Sequence, residues 1–339
     1  MSKLIDYKSA EAEILKPIFQ ENNIDPFIVR LVESFVYKEI INRNEDGVIV
    51  EKFMTKYGEC HGVYQSWWPN GQLEDEGMHV EGSREGVHRK WHENGQLFQE
   101  MNYKDDMLIG EFREYYDNGQ LSDEGKHVDN KRDGKWVSYH ENGEKWIECE
   151  YREGKRDGWE LRWYENGQEE SITFYDNDKM EGFRKCWYDN GQIEREEEYV
   201  DGLLDGEAKE WFVTGERSEQ GNWVKGEREG EHKSWYWNGN VASEMRWVNG
   251  KIEGMERYYY QNGQLRVETM YVDGKKHGKK IIYERDGTKV VEQNYENGNY
   301  ISTDIDLIGY NDPINIRNIN DGNEEDGNEE ENEDEENDE

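Results

Sequence analysis

The sequence predicts an all-β repeat array of ten stacked 24-residue β-hairpins in an elongated, twisted antiparallel sheet, with a small α-helical N-terminal cap and a disordered acidic C-terminal tail. A strict internal period predicts this fold. The tripeptide Asn70-Gly71-Gln72 returns every 24 residues as NGQ, NGQ, NGE, NGQ, NGQ, TGE, NGN, NGQ and DGT. A second glycine keeps the same step at Gly62, Gly86, Gly110, Gly134, Gly158, Gly182, Gly206, Gly230, Gly254 and Gly278.

Two aromatic columns share this period. The first contains only Trp and Tyr: Trp67, Trp91, Tyr115, Tyr139, Trp163, Trp187, Trp211, Trp235, Tyr259 and Tyr283. The second also contains His: His79, Tyr103, His127, Tyr151, Tyr175, Tyr199, Trp223, Trp247, Tyr271 and Tyr295. We expect structural roles for these rings and for the repeated glycines, including Gly71, Gly95 and Gly143. The rings would stack along the sheet, at roughly 0.5 to 1.5 kcal/mol per pair, and cover glycines on adjacent strands.

Each 24-residue unit is predicted to be one hairpin. Asn-Gly between two short aromatic runs favours a type I′ turn, in which both central residues have positive φ. The segment Gly154-Lys155-Arg156-Asp157-Gly158 and its equivalents would then turn the chain into the next unit. Because a single layer cannot bury a conventional core, contacts between neighbouring units must supply the stability.

A further column is the candidate interaction face. The residue after the first aromatic should point to the opposite face of the sheet, since side chains alternate along a strand. An exposed aromatic row among Glu, Arg and Lys is typical of a protein-binding surface. Alternatively, both faces stack rings for stability. The candidate residues are Trp68, Tyr116, Tyr164, Tyr188, Phe212, Tyr236 and Tyr260.

Composition excludes several classes of protein. Only 33% of the residues are apolar, and the net charge of −37 repels the phosphates of nucleic acid. The three cysteines have no CxxC spacing, so neither a disulfide framework nor a zinc site is indicated. We expect a cytoplasmic protein, because the N-terminus lacks an apolar signal region and no apolar stretch is long enough to span a membrane.

No catalytic, metal or cofactor site is predicted. His88 and His92 are four residues apart, which in a strand separates them by about 13 Å and prevents a shared metal. Glu76, Glu100, Glu124, Glu148 and Glu196 recur in one column, which indicates either a solvated edge or cross-strand partners of Arg and Lys. No phosphate-binding loop or nucleophile motif occurs, and residues 1–50 are too few for an enzyme domain.

The unit, with its Tyr or Trp, Asn-Gly-Gln and Gly-Lys-x-x-Gly, resembles the MORN repeat in its variant form over roughly residues 58–300. The resemblance implies a single-layer hairpin array that mediates protein contacts or, in some members, lipid association, without an intrinsic reaction. Long arrays similar to this one occur in large DNA viruses of amoebae, which implies a location in the host cytoplasm or the virion.

The ends of the chain differ from the repeats. We assign residues 1–50 to the cap, 51–300 to the repeats, 301–319 to a closing strand or extended segment, and 320–339 to a disordered tail with 13 acidic residues. A helix from Asp25 to Ile41 would present Phe27, Leu31 and Phe35 on one face. It would either cap the first hairpin or act as an F-box, whose first helix it resembles.

Three functions remain open at this point. A scaffold would bind protein partners through the repeats. An F-box-like adaptor would present clients to the core of a ubiquitin ligase. A membrane-lipid-associated protein would need a local basic cluster, for which the segment from Lys275 to Lys280 is the candidate.

Overall fold

The computed structural model describes residues 36–306, with residues 305 and 306 described by their backbone alone. The chain divides into two compact units, Met1–Glu227 and Arg228–Glu339. Within each unit the described residues form antiparallel strands joined by short turns, so the all-β prediction is confirmed. No helix in the described part of the chain is long and apolar enough to cross a membrane.

Within the described residues, unit 1 contains 19 complete antiparallel strands. Three of them are two-residue strands that pair with the same preceding strand as the strand that follows them. The 19 strands are β1 Tyr37–Arg43, β2 Ile49–Lys56, β3 Glu59–Cys60, β4 Gly62–Trp67, β5 Leu73–Val80, β6 Ser83–Trp91, β7 Leu97–Lys104, β8 Met107–Leu108, β9 Gly110–Tyr115, β10 Leu121–Val128, β11 Lys131–Tyr139, β12 Lys145–Arg152, β13 Lys155–Trp163, β14 Glu169–Asp176, β15 Lys179–Trp187, β16 Ile193–Val200, β17 Leu203–Leu204, β18 Gly206–Trp211 and β19 Arg217–Val224.

Unit 2 repeats the same arrangement from β20, which begins at the last residue of unit 1. Its strands are β20 Glu227–Trp235, β21 Val241–Val248, β22 Lys251–Ile252, β23 Gly254–Tyr259, β24 Leu265–Val272, β25 Lys275–Tyr283, β26 Lys289–Glu296 and β27 Asn299–Asp306. The described part of the expected closing segment, residues 301–306, thus belongs to a strand. β27 pairs with β26 through Tyr295 and Tyr300.

The Asn-Gly turn does not have the predicted type I′ geometry. Gly71 has a φ of +86°, but Asn70 is not among the residues with positive φ. The backbone N–H of Trp68 donates to the Gln72 carbonyl at 2.9 Å, and that of Gly71 donates to the Trp68 carbonyl at 2.8 Å. This pattern defines a three-residue loop whose last residue is left-handed, and such a loop requires glycine only at its end.

The type I′ geometry lies at the other end of each hairpin. Glu153 and Gly154 have φ values of +51° and +87°, so both central residues of this two-residue turn are left-handed. The N–H of Gly154 donates to the carbonyl of Arg132, 22 residues earlier, at 2.9 Å. Each tight turn is therefore hydrogen-bonded to the preceding repeat.

The glycine column lies opposite the second aromatic column, as Gly134 opposite Tyr151. The predicted covering of these glycines by rings is wrong, since a Cβ on Gly134 would have no atom within 4 Å. Glycine is needed there because its φ is +73°. Rings do cover glycine elsewhere: a Cβ on Gly125 would lie 2.3 Å from the Trp136 ring, and one on Gly77 would lie 1.9 Å from that of His88.

One face of the sheet, here called the core face, carries the buried side chains. On it Trp136 pairs with Cys149, and both are almost fully buried. Burial raises the pKa of the Cys149 thiol to about 12. The neighbouring rings Phe112 and His127 lie 5.4 and 5.0 Å from Trp136. Rings therefore line the core face from Tyr64 to Tyr151. In the later repeats of unit 1 the position of Trp136 is occupied by Glu160, Arg184 and Ala208.

The helix predicted from Asp25 to Ile41 is wrong at its C-terminal end, and its face residues Phe27, Leu31 and Phe35 lie outside the described residues. Residues 37–43 form β1, which pairs with β2 from Tyr37 opposite Lys56 onward. The connecting loop repeats the Asn-Gly hydrogen bonds, with Asn44 N donating to Val48 O at 2.9 Å. The described part of the array thus begins with a further, divergent hairpin.

Candidate interaction surfaces

The predicted interaction column links successive repeats. The Tyr164 hydroxyl donates to the backbone carbonyl of Trp187, 23 residues later, at 2.8 Å. The Trp68 indole N–H donates to the Trp91 carbonyl in the same way at 3.0 Å. Equivalent bonds are made by Tyr116, Tyr188, Tyr236 and Tyr260. The polar tips of these rings are therefore used inside the protein.

The expected exposure of this column is wrong. Each of its members is half-buried and lies just beyond the end of a strand, where the loop turns back over the sheet. Phe212 has no polar tip to donate. The structure thus gives Trp68, Tyr116, Tyr164, Tyr188, Tyr236 and Tyr260 a role in joining repeats, and their role in binding a partner stays a prediction.

The asparagine of each Asn-Gly turn makes a second link between repeats. Asn142 Oδ1 accepts from the backbone N–H of Glu144 at 2.9 Å, which fixes the loop. Its amide Nδ2 donates to the Glu165 carbonyl of the next repeat at 2.8 Å. The sequence pattern marked this asparagine as a turn former, but its bond to the next repeat was missed.

The opposite face, here called the outer face, carries the first aromatic column and a series of ion pairs. Its rings are half-buried under cations, as where Lys145 Nζ lies 5.4 Å from the Trp163 ring centroid. These aromatics and the glycines occupy repeated backbone positions, consistent with structural roles. They are Trp67, Trp91, Trp163, Trp187, Trp211 and Trp235, with Gly62, Gly71, Gly86, Gly95, Gly134 and Gly143.

The predicted cross-strand role of the glutamate column is confirmed. Glu100 binds Arg89 at 2.6 Å, and Glu196 binds Lys185 at 3.0 Å. Glu124 forms an ion pair with Arg113, and Glu148 forms one with its diagonal neighbour Lys135. Glu76 accepts a hydrogen bond from the neutral amide of Gln65. We call this series the charge ladder.

The charge ladder is interrupted in the middle of unit 1. Leu161 stands where six repeats have a cation, such as Arg113 and Lys185, and its partner on the adjacent strand, Ile172, stands where most repeats have glutamate. Both members of the pair are therefore apolar at the same repeat. Neither is fully buried.

Beside this interruption, three rings form a row across adjacent strands. Trp159 lies opposite Phe174, with ring centroids 5.1 Å apart, and Phe183 follows on β15. Trp159 is 47% exposed and Phe183 46% exposed. We call Trp159, Phe174 and Phe183 the aromatic row. With the half-buried Leu161 and Ile172 it forms a partly exposed apolar patch, in which Phe174 is also half-buried.

The ends of the aromatic row carry carboxylates. Glu198 pairs with Phe183 in register, and Glu150 lies on β12, the strand before Trp159. Both glutamates are exposed. Their neighbours Glu148 and Glu196 are paired with lysines within 3.0 Å, whereas no ion pair or hydrogen bond of the Glu150 or Glu198 carboxylate occurs in the described part of the chain.

A groove of about 390 Å³ opens on the core face of the same repeats. Its wall includes Tyr164, so that candidate does line a cavity. Glu160, which is 5% exposed, accepts from Arg162 at 2.9 Å and from Arg156 at 3.2 Å. Arg184 donates to Glu197 at 2.9 Å. These opposed charges neutralise one another.

Among the described residues, no group of three or more His, Cys, Asp or Glu side chains could hold a metal ion. His88 Nε2 lies 2.9 Å from the Met78 carbonyl on the core face. His92 Nε2 lies 2.9 Å from the Tyr115 carbonyl. Burial raises the pKa of the Cys186 thiol, which stands in the groove.

The candidate basic cluster for lipids is dispersed in unit 2. Lys280 is 5% exposed on the core face, and Lys276 Nζ lies 5.5 Å from the Tyr295 ring centroid. Lys279 forms an ion pair with Glu292. Lys275 is exposed. Alternation along β25 thus sends these lysines to different faces of the sheet.

The family model described as "MORN repeat variant" matches residues 61–80, 84–105, 108–130, 132–153, 180–201, 228–249 and 252–273. The chain is a MORN-repeat protein. MORN repeats are in general protein or lipid interaction modules and form a non-catalytic repeat family. The segment 154–179, which carries Trp159, Leu161, Ile172 and Phe174, is left unmatched between two matched segments.

Other comparisons add little for this MORN-repeat protein. None of the curated proteins compared with it matches. The crystal structure of TcdB2-TccC3 is 10% identical with a TM-score of 0.17, and the match covers 76% of this chain and 18% of that one. The Tc holotoxin pore of Photorhabdus luminescens is 11% identical with a TM-score of 0.19, covering 77% and 14%. The chain therefore spans less than a fifth of either protein, and such scores carry no argument.

Proposed function

We propose that this MORN-repeat protein is a non-catalytic scaffold that binds a protein partner through the aromatic row of unit 1. The observation that carries the proposal is the interruption of the charge ladder by a partly exposed apolar patch that includes the exposed rings of Trp159 and Phe183. Large exposed aromatics are the residues that contribute most to protein interfaces, where truncation of one commonly costs about 2 kcal/mol or more. In other repeats at least one member of the pair is charged, as in Arg89 with Glu100 and Lys185 with Glu196.

Two further observations support a scaffold over an enzyme. The buried charges of the groove on the core face pair with each other, as Glu160 does with Arg156 and Arg162 and Glu197 with Arg184. Four of the five patch residues, Trp159, Leu161, Ile172 and Phe174, lie in one of the segments that the family model leaves unmatched, which is consistent with a departure from the shared pattern. A departure that exposes rings favours a role in recognition, because stacking inside the array does not require it.

Charge favours a protein partner over a lipid surface. Glu150 and Glu198 stand at the ends of the aromatic row, and the chain has a net charge of −37. An anionic leaflet repels such a surface. The lysines from Lys275 to Lys280, which could offset this repulsion, are divided between two faces.

Capture of partners by the full chain tests the proposal. The decisive variant carries Trp159→Lys, Phe174→Glu and Phe183→Glu. These residues copy Lys135, Glu150 and Glu207, which occupy the same positions in neighbouring repeats, so the fold should tolerate them. A control variant carries Val80→Lys and Val128→Arg, two exposed valines of unit 1 changed to the residues of the next repeats.

We expect at least one protein that is retained by the wild type and the control, lost from the row variant, and able to bind the purified chain directly. Mass spectrometry identifies the retained proteins and calorimetry measures direct binding. If every retained protein also binds the row variant with unchanged affinity, the proposed function is wrong. Equal melting temperatures of the three chains exclude unfolding as the cause of a loss.

A further inference from the structure

The two ends of the aromatic row carry carboxylates, and their positions indicate the chemistry of the partner. Across adjacent strands of unit 1, Glu150 comes first, the aromatic row of Trp159, Phe174 and Phe183 follows, and Glu198 comes last. The rings are thus bracketed by one carboxylate on each side. Four strand separations of about 4.8 Å place the two bracketing residues about 19 Å apart.

The bracketing carboxylates are held in equivalent positions by two glycines. A Cβ on Gly158 would lie 2.6 Å from Glu150 Oε2, and one on Gly206 would lie 2.3 Å from Glu198 Oε2. The space that a side chain would occupy is therefore filled by each glutamate. Gly158 and Gly206 also have φ values of +134° and +141°, whereas Gly134 and Gly182 in the same column have +73° and +68°. The local backbone thus differs where a glutamate lies over the glycine.

Other repeats lack this arrangement. At the position of Glu150 and Glu198, neighbouring repeats have Asn102, Lys126 and Asn222. Nothing lies within 4 Å of a Cβ built on Gly134, although Lys126 stands at the equivalent position of its repeat. Two carboxylates without an ion pair in the described residues therefore stand at the two ends of a row of three rings, of which Trp159 and Phe183 are exposed and Phe174 is half-buried. The Glu150 carboxylate lies over Gly158, beside Trp159, whereas the Glu198 carboxylate lies over Gly206, on the side away from Phe183.

We propose that the aromatic row binds a protein segment with an apolar centre bracketed by two basic residues, the rings receiving the apolar side chains and the Glu150 and Glu198 carboxylates receiving the two cations. This inference rests on the proposed function and adds the chemistry of the partner. A basic group that reaches either carboxylate gains a charge-assisted hydrogen bond at the rim of an apolar contact. An acidic segment is repelled at both ends.

The basic groups should be about 19 Å apart when they reach their carboxylates. This separation corresponds to about 13 residues of a helix, at 1.5 Å per residue. In an extended segment it corresponds to about six residues, at 3.3 Å per residue. A partner with a single basic residue would satisfy only one end of the row.

Selection from a library of random 20-residue peptides displayed on phage tests this inference with the full chain as bait. The variant with Trp159→Lys, Phe174→Glu and Phe183→Glu serves for counter-selection. We expect row-dependent peptides to have apolar centres and an excess of Lys or Arg on both sides. Selection on a chain with Glu150→Lys and Glu198→Lys should reverse the flanking preference to Asp and Glu.

Affinities of the selected peptides give the second measurement. Glu150→Lys with Glu198→Lys should weaken a wild-type-selected peptide by about tenfold or more, and the effect should diminish with added salt. The control changes Glu111→Lys and Glu231→Lys, two exposed glutamates in the column of Trp159 and Phe183, and should leave the affinity within about twofold.

The outcomes separate this inference from the proposed function. Row-dependent peptides without a basic preference would overturn the bracketing role and leave the scaffold intact. Absence of row-dependent peptides would overturn the inference, while the capture experiment decides the scaffold independently. Sedimentation with vesicles of anionic phospholipid that is lost in the row variant would overturn the inference in favour of a lipid surface.

Discussion

His88 and Trp136 occupy the same repeat position, and each ring nitrogen reaches the backbone carbonyl ten residues earlier in the chain. His88 Nε2 lies 2.9 Å from the Met78 oxygen, and Trp136 Nε1 donates to the Lys126 oxygen at 3.1 Å. Both rings also lie over a glycine, Gly77 or Gly125. A histidine and a tryptophan thus fill equivalent sites, and only the histidine can be charged.

Unit 1 should therefore lose stability in mild acid, and His88→Trp should reduce that loss. Burial lowers the pKa of His88 and also that of His79, whose ring centroid is 5.3 Å away. Since the folded pKa of His88 lies below the unfolded value of about 6.5, its contribution is present above pH 6.5 and lost as the pH falls below it. Melting temperatures at about pH 7.5 and pH 5.5 measure the change. An equal fall in both chains would contradict this prediction, because their carboxylates are the same.

The variant Tyr164→Phe removes one hydrogen bond between repeats and should be measurably less stable than the wild type. The hydroxyl donates to the Trp187 carbonyl at 2.8 Å, so its loss should lower the free energy of unfolding by about 1 kcal/mol. Tyr115→Phe is the matched control, since no hydrogen bond of its hydroxyl occurs in the described residues. Its effect should stay within about 0.5 kcal/mol. Urea denaturation compares the two variants, and equal losses would argue against the link.

Gly134→Val should destabilise unit 1 through its backbone. Space is available for the side chain, but φ is +73°, where a β-branched residue costs at least 1 to 2 kcal/mol. Gly134→Asn should cost less, because asparagine tolerates left-handed geometry. We also expect Gly134→Val, and likewise Gly143→Val, to divide thermal unfolding into two transitions, since repeats are stabilised mainly by their neighbours. Calorimetry would show this, and one unchanged transition would contradict it.

The interruption of the charge ladder should be repairable. Leu161→Lys and Ile172→Glu together recreate the pair found as Lys185 and Glu196 in the next repeat. Each single variant places a charge opposite an apolar side chain, so the double variant should be more stable than the sum of the singles by about 0.2 to 1 kcal/mol. A double-mutant cycle in urea measures this coupling. Additive effects would show that Leu161 and Ile172 do not act as a pair.

The hairpin array was predictable because glycine and ring positions repeat without an insertion. The assignment of turn types was not, because Asn-Gly is compatible with two hairpin loops and only the φ of Asn70 distinguishes them. The first hairpin was missed for a related reason. Asp46-Gly47-Val48 stands 24 residues before Asn70-Gly71-Gln72, but Arg43 and Thr55 replace the two aromatics that define the columns.

The candidate surface was harder to predict than the fold. Strand alternation predicted that Tyr164 and Trp163 point to opposite faces of the sheet. It could not show that the Tyr164 hydroxyl reaches a carbonyl of the next repeat. The aromatic row did leave a signal in the sequence. Leu161 and Ile172 replace a cation and a glutamate in the same repeat, and a comparison of paired columns would have found the exchange.

The links between repeats have a consequence for how such a gene can change. Tyr164 reaches the carbonyl 23 residues later, and Asn142 does the same, so donor and acceptor keep a constant distance along the chain. Loss or duplication of 24 residues by unequal recombination would bring each donor to an equivalent acceptor. The array can therefore gain or lose whole repeats while the hydrogen bonds between neighbouring repeats keep their donors and acceptors.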